Sequence, residues 1–216
     1  MAASKRKGAS GVQLGEEVAR NMIVAGGARV FAMRGIRDTS VEDLLAAAKV
    51  SRRTFYRLFT SKEDVALALY RFGTAGLVEN WKRALGSSSD PIEQFARCID
   101  VHLKNAAMLG RLIFVLGGEA TRQESPLHAH RMAVHDRLVE LLCVASPQMA
   151  KVDPLLVRTT LFALEAITRQ VMTEGDEGRK VSPDAIERAR RVMVRVVSAT
   201  FAGSGEGVTE LPLAGG

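Results

Sequence analysis

The sequence predicts an all-α protein, with a three-helix N-terminal unit followed by a larger helical body. Apolar residues recur three and four apart along most of the chain, and no stretch sustains the alternation of a half-buried strand. Five of the six prolines follow Asp or Ser, as Asp90-Pro91, Ser125-Pro126, Ser146-Pro147, Asp153-Pro154 and Ser182-Pro183. An N-cap side chain accepts bonds from the orphan amides of a first turn, and proline at the first helical position loses no needed donor, so each pair announces a helix. The excess positive charge is confined to one end: residues 1–60 hold 11 Lys or Arg against 5 Asp or Glu, and the remaining 156 residues hold 19 of each.

Taken in order, helices are expected at 14–34, 40–47, 51–58, 62–85, 91–106, 108–117, 126–145, 154–174 and 183–201. The first supplies Ile23, Val30 and Phe31 to a small core, and Gly35 can end it in a left-handed conformation. Thr39 and Ser40 precede VEDLLAAA, with Glu42 and Asp43 in the first turn, so the second helix has both a cap and charges matched to its dipole. It ends at Lys49-Val50, and Ser51 caps the third helix after a very short turn. The result is a helix-turn-helix, with Val50 plugging the angle. Asp90 is reinforced by Glu93 in an approximate capping box. The basic segment 1–13 and the tail 203–216, GSGEGVTELPLAGG, lack this punctuation and are expected to be disordered.

Several classes of function are excluded by what the chain lacks. No run approaches the roughly 20 apolar residues needed to cross a bilayer, and the basic start SKRK leads into a segment too polar for a signal core, so no membrane partner and a cytoplasmic location are expected. Cys98 and Cys143 stand far apart without metal-ligand spacing and read as small core residues. His128 and His135 lie two turns apart and His130 points elsewhere, so neither a metal site nor a cofactor is expected. There is no nucleophile elbow, phosphate-cradling glycine loop or one-turn histidine pair, which argues against an enzyme.

The chemistry concentrates in KVSRRTFYRLF, residues 49–59. At about 100° per residue, Phe55, Leu58 and Phe59 fall on one side of the third helix with Thr54 at its margin. Arg52, Arg53, Tyr56 and Arg57 occupy the other. With the apolar side buried, a cationic face with one aromatic hydroxyl points outward, as a polyanion such as DNA requires. The alternative for this segment is a solvated basic face on an ordinary core helix.

The segment VFAMRGIRDTSVEDLLAAAKVSRRTFYRLFTSKEDVALALY, residues 30–70, resembles the DNA-binding region of the TetR family of bacterial regulators in order, spacing and residue type. The resemblance implies a DNA-binding domain over 14–61 and an effector-binding and dimerisation domain over 62–202. It also implies a homodimeric repressor that holds a palindromic double-stranded DNA operator and is released by a small-molecule effector. Ser51 matches the cap of the recognition helix, Thr54 and Tyr56 match positions that meet DNA, and Lys62 matches a lysine that usually contacts phosphate. Arg52 and Arg53 are expected to reach guanine in the major groove, and Ser40, Tyr56, Arg57 and Lys62 to hold phosphates. Lys49 and Arg53 stand where the family often has glycine, and Gly26 and Gly27 where alanines are usual. Those two glycines cost about 1 kcal/mol each in helix propensity, and they either permit close packing or loosen the helix.

Two seams mark the C-terminal helices. Val157, Leu161, Leu164, Thr168 and Val171 form one, and Ile186, Ala189, Met193, Val196 and Thr200 the other. Both suit side-by-side helix packing, within one chain or across a two-fold dimer interface, and the dimer is the expectation because two half-sites multiply the contacts of one short reading helix. Trp81, Phe95, His102, Phe114, Phe162 and Arg169 are candidates to line an effector pocket, with core or surface roles as the alternative for each. A sequence-independent architectural DNA binder is the competing function. It fits the basic end but not the electrically neutral body.

Overall fold

The computed structural model describes residues 4–86, 90–146, 149–174 and 181–201, with the backbone alone for 4–14, 91 and 172–174. The helices are α1 (Ser4–Arg34), α2 (Val41–Ala48), α3 (Arg52–Leu58), α4 (Lys62–Leu85), α5 (Pro91–Leu109), α6 (Arg111–Ala120), α7 (Pro126–Ala145), α8 (Pro154–Glu174) and α9 (Pro183–Phe201). The described residues contain no strand.

Helices α5, α7, α8 and α9 each start at the expected proline. Ser146-Pro147 differs, leading only to a 3₁₀ turn at Met149–Lys151, where the Ser146 hydroxyl accepts from the Met149 amide at 3.4 Å. Helix α1 begins at Ser4, so the arm expected to be disordered over 1–13 is helical from that residue on. Nothing in KRKGASGVQL breaks a helix outright, and extending an existing helix adds one hydrogen bond per residue without a new nucleus. Helix α5 runs on to Leu109, and α6 starts only at Arg111. Gly110 between them has φ 54° and ψ −135°, a conformation open to glycine. The tail 203–216 lies outside the described residues.

The chain forms two compact units, which do not divide at residue 61. The first is bounded by Met1–Ala75 with Leu109–Met132, the second by Gly76–Met108 with Ala133–Gly216. The first therefore takes in the start of α4, α6 and the start of α7. Its core joins Ile23 and Phe31 of α1, Leu44 of α2, Phe55 and Phe59 around α3, and Val65 of α4, with Leu116, Ala120 and Leu127 closing it. Gly26 settles one of the two alternatives for the α1 glycines. A Cβ there would lie 3.0 Å from the Ala48 nitrogen and 3.1 Å from the Ala47 carbonyl carbon, so the bare backbone is what lets α1 and α2 approach.

The second unit packs the rest of α4 with α5, the later part of α7, α8 and α9. Trp81, Phe95, Cys98, Ile99, Leu142, Val157, Met193 and Val197 are buried in one core. Burial pushes the Cys98 thiol up to about 12, consistent with a packing role. Phe201 of α9 stacks on Phe95 of α5 at 5.1 Å between ring centroids, and Arg190 of α9 binds Asp100 of α5 through Nε at 2.6 Å and Nη2 at 3.2 Å.

This core corrects the seam assignment. Val157, Leu161, Leu164, Thr168 and Val171, with Ala189 and Met193, are all buried inside the single chain, and Ile186, Val196 and Thr200 are half-buried. Helical spacing records which residues turn inward, and here inward is the protein's own core rather than a second copy. Among the described residues of the same helices, the large apolar side chains that are exposed are Leu155, Leu156 and Val192.

Candidate functional site

The outward face of α3 is positioned by a chain of local bonds that begins before α2. Gly35 closes α1 at φ 81°, its amide donating to the Phe31 carbonyl at 2.8 Å. The buried Thr39 hydroxyl donates to the Gly35 carbonyl at 2.6 Å. Ser40 and Asp43 complete a reciprocal capping box: the Ser40 hydroxyl accepts from the Asp43 amide at 3.1 Å, and the Asp43 carboxylate accepts from the Ser40 amide at 2.9 Å. The bonds from Ser40, then the Arg34 guanidinium, hold the Asp43 carboxyl below its usual range.

Helix α2 stops at Lys49, which takes the left-handed conformation (φ 54°, ψ 41°) and is the one described non-glycine residue with positive φ. Two residues later the Ser51 hydroxyl accepts from the Thr54 amide at 3.1 Å and caps α3. Phe55 and Phe59 are then fully buried, with Leu58 and Thr54 half-buried, while Arg52, Arg53, Tyr56 and Arg57 are exposed. This is the division expected from the helical projection. Burying each phenyl ring contributes about 1.5–3 kcal/mol, which fixes the rotation of a helix too short to be stable alone.

The like charges of α3 are relieved by carboxylates from other helices. Arg52 pairs with Glu42 of α2, and Arg57 Nε lies 3.1 Å from Glu16 Oε1 of α1. Arg53 has no ion-pair partner among the described residues. Arg20 lies across the buried edge of this face, its guanidinium 4.5 Å from the Phe59 ring centroid and donating to the Leu58 carbonyl at 3.3 Å. Glu16 and Arg20 were not singled out from sequence, and Glu42 was read only as a first-turn acid of α2. They come from helices remote in the chain, and the four-residue rule that finds ion pairs within a helix does not reach them.

Lys62 sits differently from the phosphate ligand expected of it. Its ammonium donates to the Arg37 and Thr39 carbonyls, both at 2.8 Å, and so ties the start of α4 to the turn ahead of α2. The Ser40 hydroxyl is likewise engaged, donating to Asp43 Oδ2 at 2.7 Å.

The candidate effector residues do not form one group. Phe114 belongs to the first unit, and Trp81, Phe95, His102, Phe162 and Arg169 to the second. Phe95 is part of the apolar core. Trp81 belongs to the same core, and His102, Phe162 and Arg169 lie on α5 and α8, which carry a polar cluster. His102 Nε2 of α5 lies 2.9 Å from the Thr168 hydroxyl of α8, which itself donates to the Leu164 carbonyl at 3.0 Å. His135 of α7 lies 3.3 Å from Glu165 Oε2 of α8, with Phe162 packed on its ring at 4.6 Å. Burial pushes the His102 pKa down to about 4, against the pull of Glu165 and with a contribution from His135. The other histidines are bonded too, His128 Nδ1 to the Ala120 carbonyl at 3.1 Å and His130 Nε2 to the Thr74 hydroxyl at 2.9 Å.

Residues 23–69, which span this whole chain of caps and the reading face, match the model of the bacterial regulatory proteins of the tetR family. Over these residues the N-terminal unit is similar to the DNA-binding region of that family. Solved TetR-family structures share the fold over most of the chain. The regulator PfmR from Thermus thermophilus is 22% identical, covers 81% of this chain and 96% of its own, and superposes with a TM-score of 0.62. FadR from Bacillus subtilis, solved in complex with stearoyl-CoA, is 18% identical, with coverage of 82% and 97% and a TM-score of 0.69. A regulator from Bordetella parapertussis 12822 is 23% identical, with coverage of 81% and 93% and a TM-score of 0.60. No curated protein sequence matches the chain. The fold they share is an N-terminal helix-turn-helix followed by a larger helical body. No described helix is long and apolar enough to cross a membrane.

Proposed function

We propose that the protein is a ligand-responsive transcriptional repressor that binds a palindromic operator as a homodimer and releases it when a small molecule occupies the second unit. The observation that carries this reading is the outward face of α3, where Arg52, Arg53, Tyr56 and Arg57 stand exposed on a capped helix whose other side is buried. Arg53, which has no competing carboxylate among the described residues, reads guanine. Arg52 reads beside it once DNA competes with Glu42 for its guanidinium, since a surface ion pair is worth only about 0–1 kcal/mol. Tyr56 and Arg57 hold phosphates and fix the orientation. Ser51 and Thr54 shape the entry to α3, and Ser40 and Lys62 hold the turn in front of it.

The dimer forms through the outward faces of α8 and α9, around Leu155, Leu156 and Val192, in place of the buried seams. A two-fold arrangement sets two copies of α3 on half-sites about 34–36 Å apart. The complex of Bacillus subtilis FadR with stearoyl-CoA supports a small-molecule effector for a protein of this fold.

The test is a mobility-shift titration of the full chain against genomic fragments and against random duplex over a range of salt. A repressor gives protected half-sites related by two-fold symmetry and an operator affinity that stays well above random DNA as salt rises. Equal affinity for both at every salt concentration would instead make the protein an architectural binder.

A further inference from the structure

We infer that Glu42 is a specificity-determining residue: once DNA takes Arg52 from it, its carboxylate accepts from the amino group of a cytosine beside the guanine that Arg52 reads. The inference rests on the reading of α3 given above and extends the reading surface to α2.

Glu42 lies in the first turn of α2 and pairs with Arg52 at the start of α3, the two side chains being 61% and 60% exposed. The contact sets a solvent-facing carboxylate directly beside a guanidinium that reads a base. The other acid of that turn is already engaged. Asp43 accepts from the Ser40 amide, the Ser40 hydroxyl and Arg34, and so closes the cap of α2. Glu42 takes no part in that capping box, and its partner among the described residues is Arg52. Glu16 pairs instead with Arg57, which holds phosphate in the reading above, and so stands beside the DNA backbone.

The chemistry of the groove then selects the base. A carboxylate only accepts. In the major groove guanine presents O6 and N7 and thymine presents O4, all acceptors, whereas cytosine N4 and adenine N6 donate. A released carboxylate that faces acceptors stays unpaired and is repelled, which counts against guanine and thymine at that place. Adenine carries its N7 acceptor next to N6, so cytosine is the better partner. Stacked bases are about 3.4 Å apart along a strand, close to the length of an ordinary ion pair. A carboxylate that touches the guanidinium over one base pair therefore reaches the next.

The test is a binding-site selection with the full-length protein on duplexes that carry all four base pairs at each half-site position, followed by mobility-shift titration of single-position variants. The wild type is expected to prefer cytosine over guanine or thymine beside one guanine, by about five- to a hundredfold. Arg52→Ala is expected to lose that guanine, which identifies the position. Glu42→Ala is expected to keep the guanine and accept all four bases beside it. Glu42→Gln is expected to turn the preference to adenine, whose N6 and N7 an amide bonds together. A structural defect would lower affinity for every sequence and shift no single base, and should Glu42→Ala melt early, the nearly isosteric Glu42→Gln still decides.

The inference is overturned if both Glu42 variants select the wild-type site, or if Arg52→Ala loses no guanine. It is also overturned if the Glu42 variants lose the guanine itself, which would make Glu42 a positioning residue for the arginine. A wild type that selects an operator but fails these comparisons loses only this inference, whereas one that selects no sequence at all loses the regulatory reading.

Discussion

The two units handle polar chemistry in opposite ways. On α3 of the first, charge is kept at the surface: Arg52 and Arg57 meet carboxylates from other helices, Arg53 meets none among the described residues, and the core beneath is built on Phe31, Phe55 and Phe59. In the second, polar side chains are drawn between helices, with His102 bonded to Thr168 and His135 beside Glu165. Exposed charge acts over a distance and suits an extended anion that arrives from solvent. Buried polar groups act only on what is enclosed with them, and there each hydrogen bond counts more because water is excluded. One molecule thus carries an exposed cationic helix face in one unit and polar side chains bonded between helices in the other.

The comparison breaks most sharply at Phe55, the side chain that fixes which face of α3 looks outward. Phe55→Ala is expected to destabilise the first unit by about 3–5 kcal/mol and to abolish operator binding although every arginine remains. A urea melt followed by helicity checks it. Unchanged stability would mean that the reading face does not depend on the core beneath.

The next largest effect belongs to the buried polarity of the second unit. His102 titrates near its ordinary value of 6.5 when unfolded and at about 4 when folded, so between those limits the unfolded chain binds the extra proton. Stability is therefore flat above about pH 6.5 and falls as pH drops toward 4, by at most about 3 kcal/mol. In His102→Gln, which bonds Thr168 without titrating, this part of the slope should vanish. Denaturant melts between pH 4 and 7.5 distinguish the two proteins, and identical slopes would place the acid sensitivity elsewhere, with Glu165 and His135 the nearest titratable groups.

The fold was largely legible because its signals are local. A capping Asp or Ser followed by proline states where a helix begins whatever surrounds it, and α7, α8 and α9 run as the punctuation indicates. The split face of α3 was legible for the same reason, since seven residues of helical geometry contain it. Partners were not. The spacing of Val157, Leu161 and Leu164 reports burial without saying what covers them, and the answer was the chain's own core. Lys62 looked like a phosphate ligand because nothing in its neighbourhood shows that two carbonyls, at Arg37 and Thr39, come within reach of its ammonium.

That reassignment is testable against Arg53. Arg53→Ala should leave the melting temperature unchanged and relax preference at one base pair of each half-site by about 1–3 kcal/mol. Lys62→Met should lower stability by about 1–3 kcal/mol through two lost charge-assisted bonds while leaving the salt dependence of binding intact. If Lys62→Met instead lowers the salt slope by about one with stability unchanged, Lys62 contacts phosphate after all.

The smallest effect concerns the turn between α2 and α3. Lys49 is exposed and left-handed, a conformation that costs a residue with a Cβ about 1–2 kcal/mol and glycine almost nothing. Glycine gives back part of that gain by enlarging the unfolded ensemble, so Lys49→Gly should stabilise the first unit by about 0.5–1 kcal/mol. Lys49 also carries a positive charge two residues ahead of Ser51, at the entrance to the reading helix. If that charge meets phosphate, the more stable variant binds every duplex more weakly and its salt slope falls by about one, with base preference unchanged. A variant that gains stability and keeps its salt slope would show that the lysine only tolerates the turn. One that gains no stability would remove the backbone cost on which the expectation depends.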